Sequence, residues 1–234
     1  MQLLCAGAMH GVIDALATTF EGIVGKAVDA SFTNSGGVKA RVMAGERADV
    51  AISTAAAIDE LARHGKISAV TALARSPIGI AVRAGASRPD IGTVDSFERA
   101  LVAAKSIAIA DPATGSPSGN YLVALFERLA LTASLRDKIR YVGGGAGGVV
   151  VVGEAVARGD AEMAIQQIPE LVGVAGLDVV GELPAELQQV TVFSAAVVAT
   201  TSDEAAARRL VACLASSQAE AAIRAKGMQP VRGN

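Results

Sequence analysis

The sequence predicts an α/β fold in two similar lobes, and three observations carry that expectation. Strand-like and helix-like segments alternate from Leu3 to Ala62, as parallel strands joined by right-handed crossovers require. A helix-end, turn and strand pattern in the first half recurs in the second. Hydrophobic residues make up 51% of the 234 positions against 19% charged, which is ample for a core and excludes disorder. Aromatic residues are only 3% and Trp is absent, so Ala, Val, Ile and Leu must build that core.

The elements follow in order. Leu3–Ala8 reads as a short buried strand. The helix from His10 to Val24 places Val12, Ile13, Leu16, Phe20 and Ile23 on one face of period 3.6. Ala27–Thr33 is a second strand, and Ser35-Gly36-Gly37 opens a helix through Met43 that stops at Gly45. Asp49–Ser53 and Ala56–Ala62 are the third strand and helix. Pro77–Val82 is a continuous apolar strand that crosses into the second lobe. Ser96–Ala104, Ser106–Ala110, Asn120–Leu131 and Ile139–Val142 continue the alternation. Val190–Ala199 returns as a strand, and helices at 203–215 and about Ala219–Lys226 finish the chain. Lobe I is residues 1–76 with 192–234, and lobe II is 77–191.

The repeated pattern is specific. Val42–Ser53 ends a helix with Gly45, turns, and enters a strand with Asp49 at its mouth. Val156–Gln166 does the same around Gly159 and Glu162 with one residue fewer. A Gly-rich helix start precedes each, at Ser35–Val38 and Ala146–Val149. Any α/β protein reuses such turns, but the double match predicts two lobes facing each other across a central ligand cleft. Ligands of such sheets bind beyond the carboxyl ends of the strands.

Three helix starts share a composition of small and hydroxyl residues: Ala8-Met9-His10, Asn34-Ser35-Gly36-Gly37 and Ser116-Pro117-Ser118-Gly119-Asn120. First-turn N–H groups have no intrahelical partner, and the helix dipole adds partial positive charge there. Such starts hold an oxyanion or carboxylate without Lys or Arg. Each Ser has the alternative of capping its own helix. Gly143–Gly148 satisfies G-x-G-x-x-G, but the strand that follows ends in Gln166 and Gln167 with no acid for a ribose. No dinucleotide or other cofactor is expected.

His10 and His64 are the sole histidines. His64 reads as a solvated helix-end cation. His10, just past the first strand, is either a surface residue or a ligand contact able to move a proton. Cys5 and Cys213 match no metal or redox spacing and read as inert buried thiols. No metal cluster is expected. A net charge of -2 supplies no field for nucleic acid. Mean hydropathy is +0.43, yet no apolar run approaches a membrane span, and Met1–Cys5 lacks the basic start of a secretory signal. The chain is expected to be cytoplasmic if Met1 is native, or periplasmic if it is a processed mature form.

Ala6–His10 continuing to Phe20, Ser31–Gly36 with Ala48–Ser53, and Asp111-Pro112 with Pro117–Tyr121 resemble successive blocks of the molybdate-binding proteins of ABC transporters. The resemblance implies a type II periplasmic-binding-protein fold that closes like a hinge on a small anion, with an ABC permease as partner if the chain is exported. It places that family's ligand contacts on Ala8, Met9, Ser35, Gly36, Ser118, Gly119, Val149 and Gln167. Ala8 stands where the family has a serine and Gln167 where it has a tyrosine, so a small organic acid is expected to suit the site as well as molybdate. Some proteins resembling this family isomerise tricarboxylic acids such as aconitate. The resemblance therefore implies two functions: a solute-binding protein, or a cofactor-independent isomerase with His10 as its catalytic base.

Overall fold

In a computed structural model that describes residues 1–143 and 151–231, the chain divides into two compact units. Met1–Ser76 and the segment from Thr191 onward form the first. The second spans the described residues from Pro77 to Val190.

The first unit opens with β1 (Gln2–Ala6), one turn of 3-10 helix (Gly7–Met9) and α1 (His10–Val24). Then come β2 (Asp29–Thr33), α2 (Ser35–Met43), β3 (Val50–Thr54), α3 (Ala55–Arg63) and β4 (Ile67–Ser76). The second unit contains β5 (Ile78–Arg83), α4 (Val94–Ala103), β6 (Ile107–Ala110), α5 (Pro117–Arg128), α6 (Thr132–Leu135) and β7 (Ile139–Val142). It continues with α7 (Val152–Arg158), β8 (Met163–Gln167), α8 (Ile168–Leu171) and β9 (Leu177–Glu182). β10 (Thr191–Val198), α9 (Glu204–Leu214), α10 (Ser217–Ala225) and β11 (Gln229–Pro230) return to the first unit.

The first sheet has the order β11-β4-β10-β3-β1-β2 and the second β7-β6-β8-β5-β9. β1 pairs in parallel with both β2 and β3, while β10 runs antiparallel between β3 and β4. In the second sheet β6 pairs in parallel with β7 and β8, and β5 runs antiparallel between β8 and β9. Each unit thus contains a three-strand parallel segment whose carboxyl ends share one edge.

Packing follows the apolar periodicities. α1 buries Val12, Ile13, Leu16, Phe20 and Val24 against β1, β3, β10 and the C-terminal helices α9 and α10. Ile23, expected on that face, is 38% exposed; Val24 takes its place one position on. Gly25 ends α1 at φ +77°, donating to the Glu21 carbonyl, a conformation that glycine adopts without a Cβ penalty. α2 and α3 cover the other face through Val38, Val42, Ile58 and Leu61. In the second unit α4 and α5 bury Phe97, Leu101, Leu122 and Leu125 on one face, and α7 buries Val152, Ala155 and Val156 on the other. Each buried Leu, Ile or Phe contributes roughly 1.5–3 kcal/mol, so two aliphatic cores of this size need no tryptophan.

The repeated turn is present in both units. α2 leads through Gly45 at φ +80° into β3, and α7 leads through Gly159 at φ +90° into β8. The β4 and β9 strands were not expected from the sequence. Among the described residues no helix is long and apolar enough to cross a membrane.

Candidate functional site

In the first unit the parallel registers set Ala6 opposite Thr33 and Cys5 opposite Ile52, so β1, β2 and β3 end level. A helix start follows each end at once. Ala8 and Met9 lie in the turn between β1 and α1, 5% and 0% exposed, so their side chains belong to the core. Met9 is wholly enclosed, and what exposure remains at this turn lies on Ala8. Ser35 is the first residue of α2 and is buried, with Gly36 behind it.

The capping at α2 differs from the sequence expectation. Asn34 supplies the cap, its Oδ1 accepting the Gly37 N–H at 2.8 Å. Ser35 therefore stands inside the helix head with its hydroxyl outside the cap, while its carbonyl accepts the Ser53 hydroxyl at 3.2 Å. Thr54, not singled out from the sequence, caps α3 by accepting from Ala57 N–H at 3.4 Å. Its place before an Ala-rich helix start was the signal that could have found it.

In the second unit β6, β7 and β8 share an edge, with Ala110 opposite Val142 and Ile109 opposite Ile165. After β6, the Asp111 carboxylate accepts the Ala113 N–H at 2.9 Å, and a 3-10 turn leads through Gly115 at φ +76° to α5. Ser116 caps α5 by accepting from Gly119 N–H at 3.4 Å, and its hydroxyl lies 3.2 Å from that of Ser118. Ser118 is 2% exposed. Its hydroxyl is thus engaged with the cap, and its N–H is what the helix head can offer a ligand.

Gly119 has a structural duty that composition alone did not show. A Cβ there would lie 2.3 Å from the Ala110 carbonyl oxygen, so the missing side chain lets α5 start directly against β6. Gln167 ends β8 and precedes α8, 4% exposed. Its neighbour Gln166, on the opposite face, accepts the Val152 N–H at the start of α7 at 3.2 Å. Val149 and all but the first residue of the Gly143–Gly148 run lie outside the described residues.

Glu170, in α8, was missed by sequence reasoning. Burial pushes its carboxyl up to about 8, and a hydrogen bond from Gln166 pulls it partly back. His64 ends α3 with Nδ1 2.8 Å from the Glu60 carbonyl, as a helix-end residue should. His10 is exposed at the head of α1. Its Nε2 lies 3.3 Å from Asp14 Oδ2, and its ring centroid lies 3.9 Å from that of Phe32. Among the described residues no cluster of His, Cys, Asp and Glu could hold a metal ion. Both cysteines are free and buried, and burial raises both thiols above their ordinary range.

These edges combine capped helix heads, small residues and one surface imidazole. Helix heads of this kind can donate hydrogen bonds to a small anion, and an exposed imidazole can take up a proton.

Comparison with known proteins agrees with the architecture. A family model described as bacterial extracellular solute-binding protein matches residues 1–229. An aconitate isomerase from a Pseudomonas species is 35% identical over 239 residues, covering 99% of this chain and 88% of that protein. Among solved structures, the periplasmic molybdate-binding protein of Azotobacter vinelandii superposes with a TM-score of 0.79 at 21% identity over 100% of both chains. The sulfate-binding protein SubI of Mycobacterium tuberculosis gives 0.77 at 16% identity, covering 99% of this chain and 86% of that one. At such identities the two structures show the fold, which is that of the periplasmic binding proteins.

Proposed function

The chain belongs to the bacterial extracellular solute-binding protein family, and from that premise we propose that its ligand is a small polycarboxylate held chiefly by backbone N–H groups at helix heads. The observation that carries this reading is the division of labour at the strand ends. Asn34 and Ser116 take the Gly37 and Gly119 N–H groups of α2 and α5, and the proposed donors beside them are the Ser35 hydroxyl and the N–H groups of Ser35, Gly36 and Ser118. Proposed contacts are Ala8, Met9, Ser35 and Gly36 in the first unit and Ser118, Gly119 and Gln167 in the second, together with Val149.

A carboxylate is favoured over a tetrahedral oxyanion by two features. Gln167 brings an amide, which can donate to one carboxylate oxygen and accept from a protonated one. The Pseudomonas relative is named for a tricarboxylate. An ABC permease is the proposed partner and the periplasm the proposed location, in keeping with an extracellular binding family.

Thermal unfolding against a panel of cis-aconitate, trans-aconitate, citrate, molybdate and sulfate tests the reading. A true ligand at 100 times its Kd stabilises the native state by about 2.7 kcal/mol. A shift with the tricarboxylates supports the proposal. A shift with molybdate or sulfate alone replaces the ligand class, and no shift with any of the five overturns the binding site.

A second reading, isomerisation of the bound acid, is favoured by the 35% identity to an aconitate isomerase along nearly the whole chain. It needs a base beside a carbon next to a carboxylate, and His10 is the group proposed for that role. Interconversion of cis- and trans-aconitate with incorporation of solvent deuterium separates an enzyme from a binding protein.

A further inference from the structure

We propose that Asp14 is a positioning residue for His10, holding the imidazole with Nε2 protonated so that Nδ1 is the nitrogen that takes and returns a proton on the ligand. This inference rests on the isomerase reading.

The geometry restrains the ring from two directions. Asp14 lies one helical turn beyond His10 on α1, and its Oδ2 is 3.3 Å from Nε2. Phe32 lies under the ring at a centroid distance of 3.9 Å and an interplanar angle of 33°. Phe32 sits on β2 directly opposite Cys5 of β1, so the stacking surface belongs to the sheet rather than to a loop. A carboxylate has no hydrogen to offer, so its charge at this distance favours the tautomer that turns an N–H towards it. In the neutral ring the other nitrogen, Nδ1, is then the base. His64 is a natural contrast: its Nδ1 is taken by the Glu60 carbonyl, and it stands at the other end of its helix.

The step balances without a co-reactant. A C–H bond next to a carboxylate breaks, its electron pair passes into the allylic system, and the proton goes to Nδ1. The resulting imidazolium presents Nε2–H to the Asp14 carboxylate, which stabilises the added charge. Return of the proton to the far allylic carbon restores the neutral ring and leaves the double bond displaced. Nothing is oxidised or reduced.

The test uses the full chain, with cis-aconitate as probe in D2O. Asp14 is exposed at the helix surface, so its replacement leaves the core intact. In Asp14→Ala, kcat for deuterium incorporation should fall roughly 10- to 100-fold with KM within about twofold, a fraction of what a proton-transfer group supplies. Asp14→Asn, which keeps an acceptor oxygen, should recover part of that loss. By proton NMR, the upfield displacement of the His10 ring protons over Phe32 should diminish in Asp14→Ala. Unchanged kcat in Asp14→Ala overturns the positioning role while leaving the isomerase reading intact. An unmoved His10 resonance in that variant overturns it as well. A wild-type protein that binds aconitate but incorporates no deuterium overturns the isomerase reading, and this inference with it.

Discussion

The Asn34 side chain accepts the Gly37 N–H at 2.8 Å, so the residue before Ser35, and not Ser35 itself, closes the head of α2. Stability and ligand binding at this helix therefore rest on different side chains. Asn34→Ala should cost about 1 kcal/mol of folding stability, as the loss of a cap does. Ser35→Ala should leave stability within about 0.5 kcal/mol and weaken the proposed ligand roughly 10-fold, through the loss of one hydroxyl partner. Urea denaturation of both variants, with calorimetric titration of trans-aconitate, measures the separation.

Gly119 predicts a second, larger stability effect. A methyl group there meets the backbone carbonyl of Ala110 at 2.3 Å, and a backbone atom cannot swing aside as a flexible side chain can. Gly119→Ala should destabilise by about 1–3 kcal/mol, the usual cost of overpacking, although alanine is the better helix former. Chemical denaturation reads the sign directly. A neutral or stabilising result would mean that α5 starts farther from β6.

Glu170 predicts the pH dependence of stability. Its carboxyl is raised to about 8 in the folded protein from an ordinary value near 4.5. Between these limits the native state holds one proton more than the unfolded chain. Its contribution is therefore complete below pH 4.5 and is lost as pH rises towards 8, by up to about 1.4 kcal/mol per pH unit. The charged residues on the elements packed against α8 are Glu154 and Arg158 on α7, Arg83 on β5, and Asp178 and Glu182 on β9. The shift itself comes from burial and Gln166. Glu170→Gln should flatten the fall between pH 5 and 8 in thermal unfolding, and an unchanged slope would place its origin elsewhere.

Cys5 and Cys213 should be unreactive in the native protein, because burial raises both thiols and the thiolate is the reacting form. A disulfide reagent at pH 8 should label neither until the chain is unfolded, and then label both.

Much of the architecture was legible because it rests on periodicity. The α1 and α2 helices have the boundaries expected, His10–Val24 and Ser35–Met43, since an apolar face of period 3.6 and Gly-rich or Gly-terminated ends mark them plainly. β4 was not legible. Ile67–Ser76 lacks clean alternation, with Ala69 at φ +49° and register shifts where β10 pairs with it. β9 is an edge strand whose residues are half-buried except for exposed Glu182, so neither face shows a contrast. At the candidate site, the small residues after each strand could be read, because helix starts at carboxyl ends favour them. Their division of duties could not. Whether Asn34 or Ser35 caps, whether Gly119 serves a ligand or the Ala110 carbonyl, and how far the Glu170 carboxyl is desolvated all depend on neighbours far away in sequence or on backbone geometry.

The central claim is that backbone amides at helix heads hold a small carboxylate anion. Amide chemical-shift mapping by two-dimensional NMR during titration with trans-aconitate tests it most directly. The account predicts that the largest saturable displacements fall on the N–H groups of Ser35, Gly36 and Ser118, and that Ser35→Ala requires about 10-fold more ligand to reach them. Saturable binding that leaves those three amides unmoved, and displaces resonances elsewhere, would contradict it.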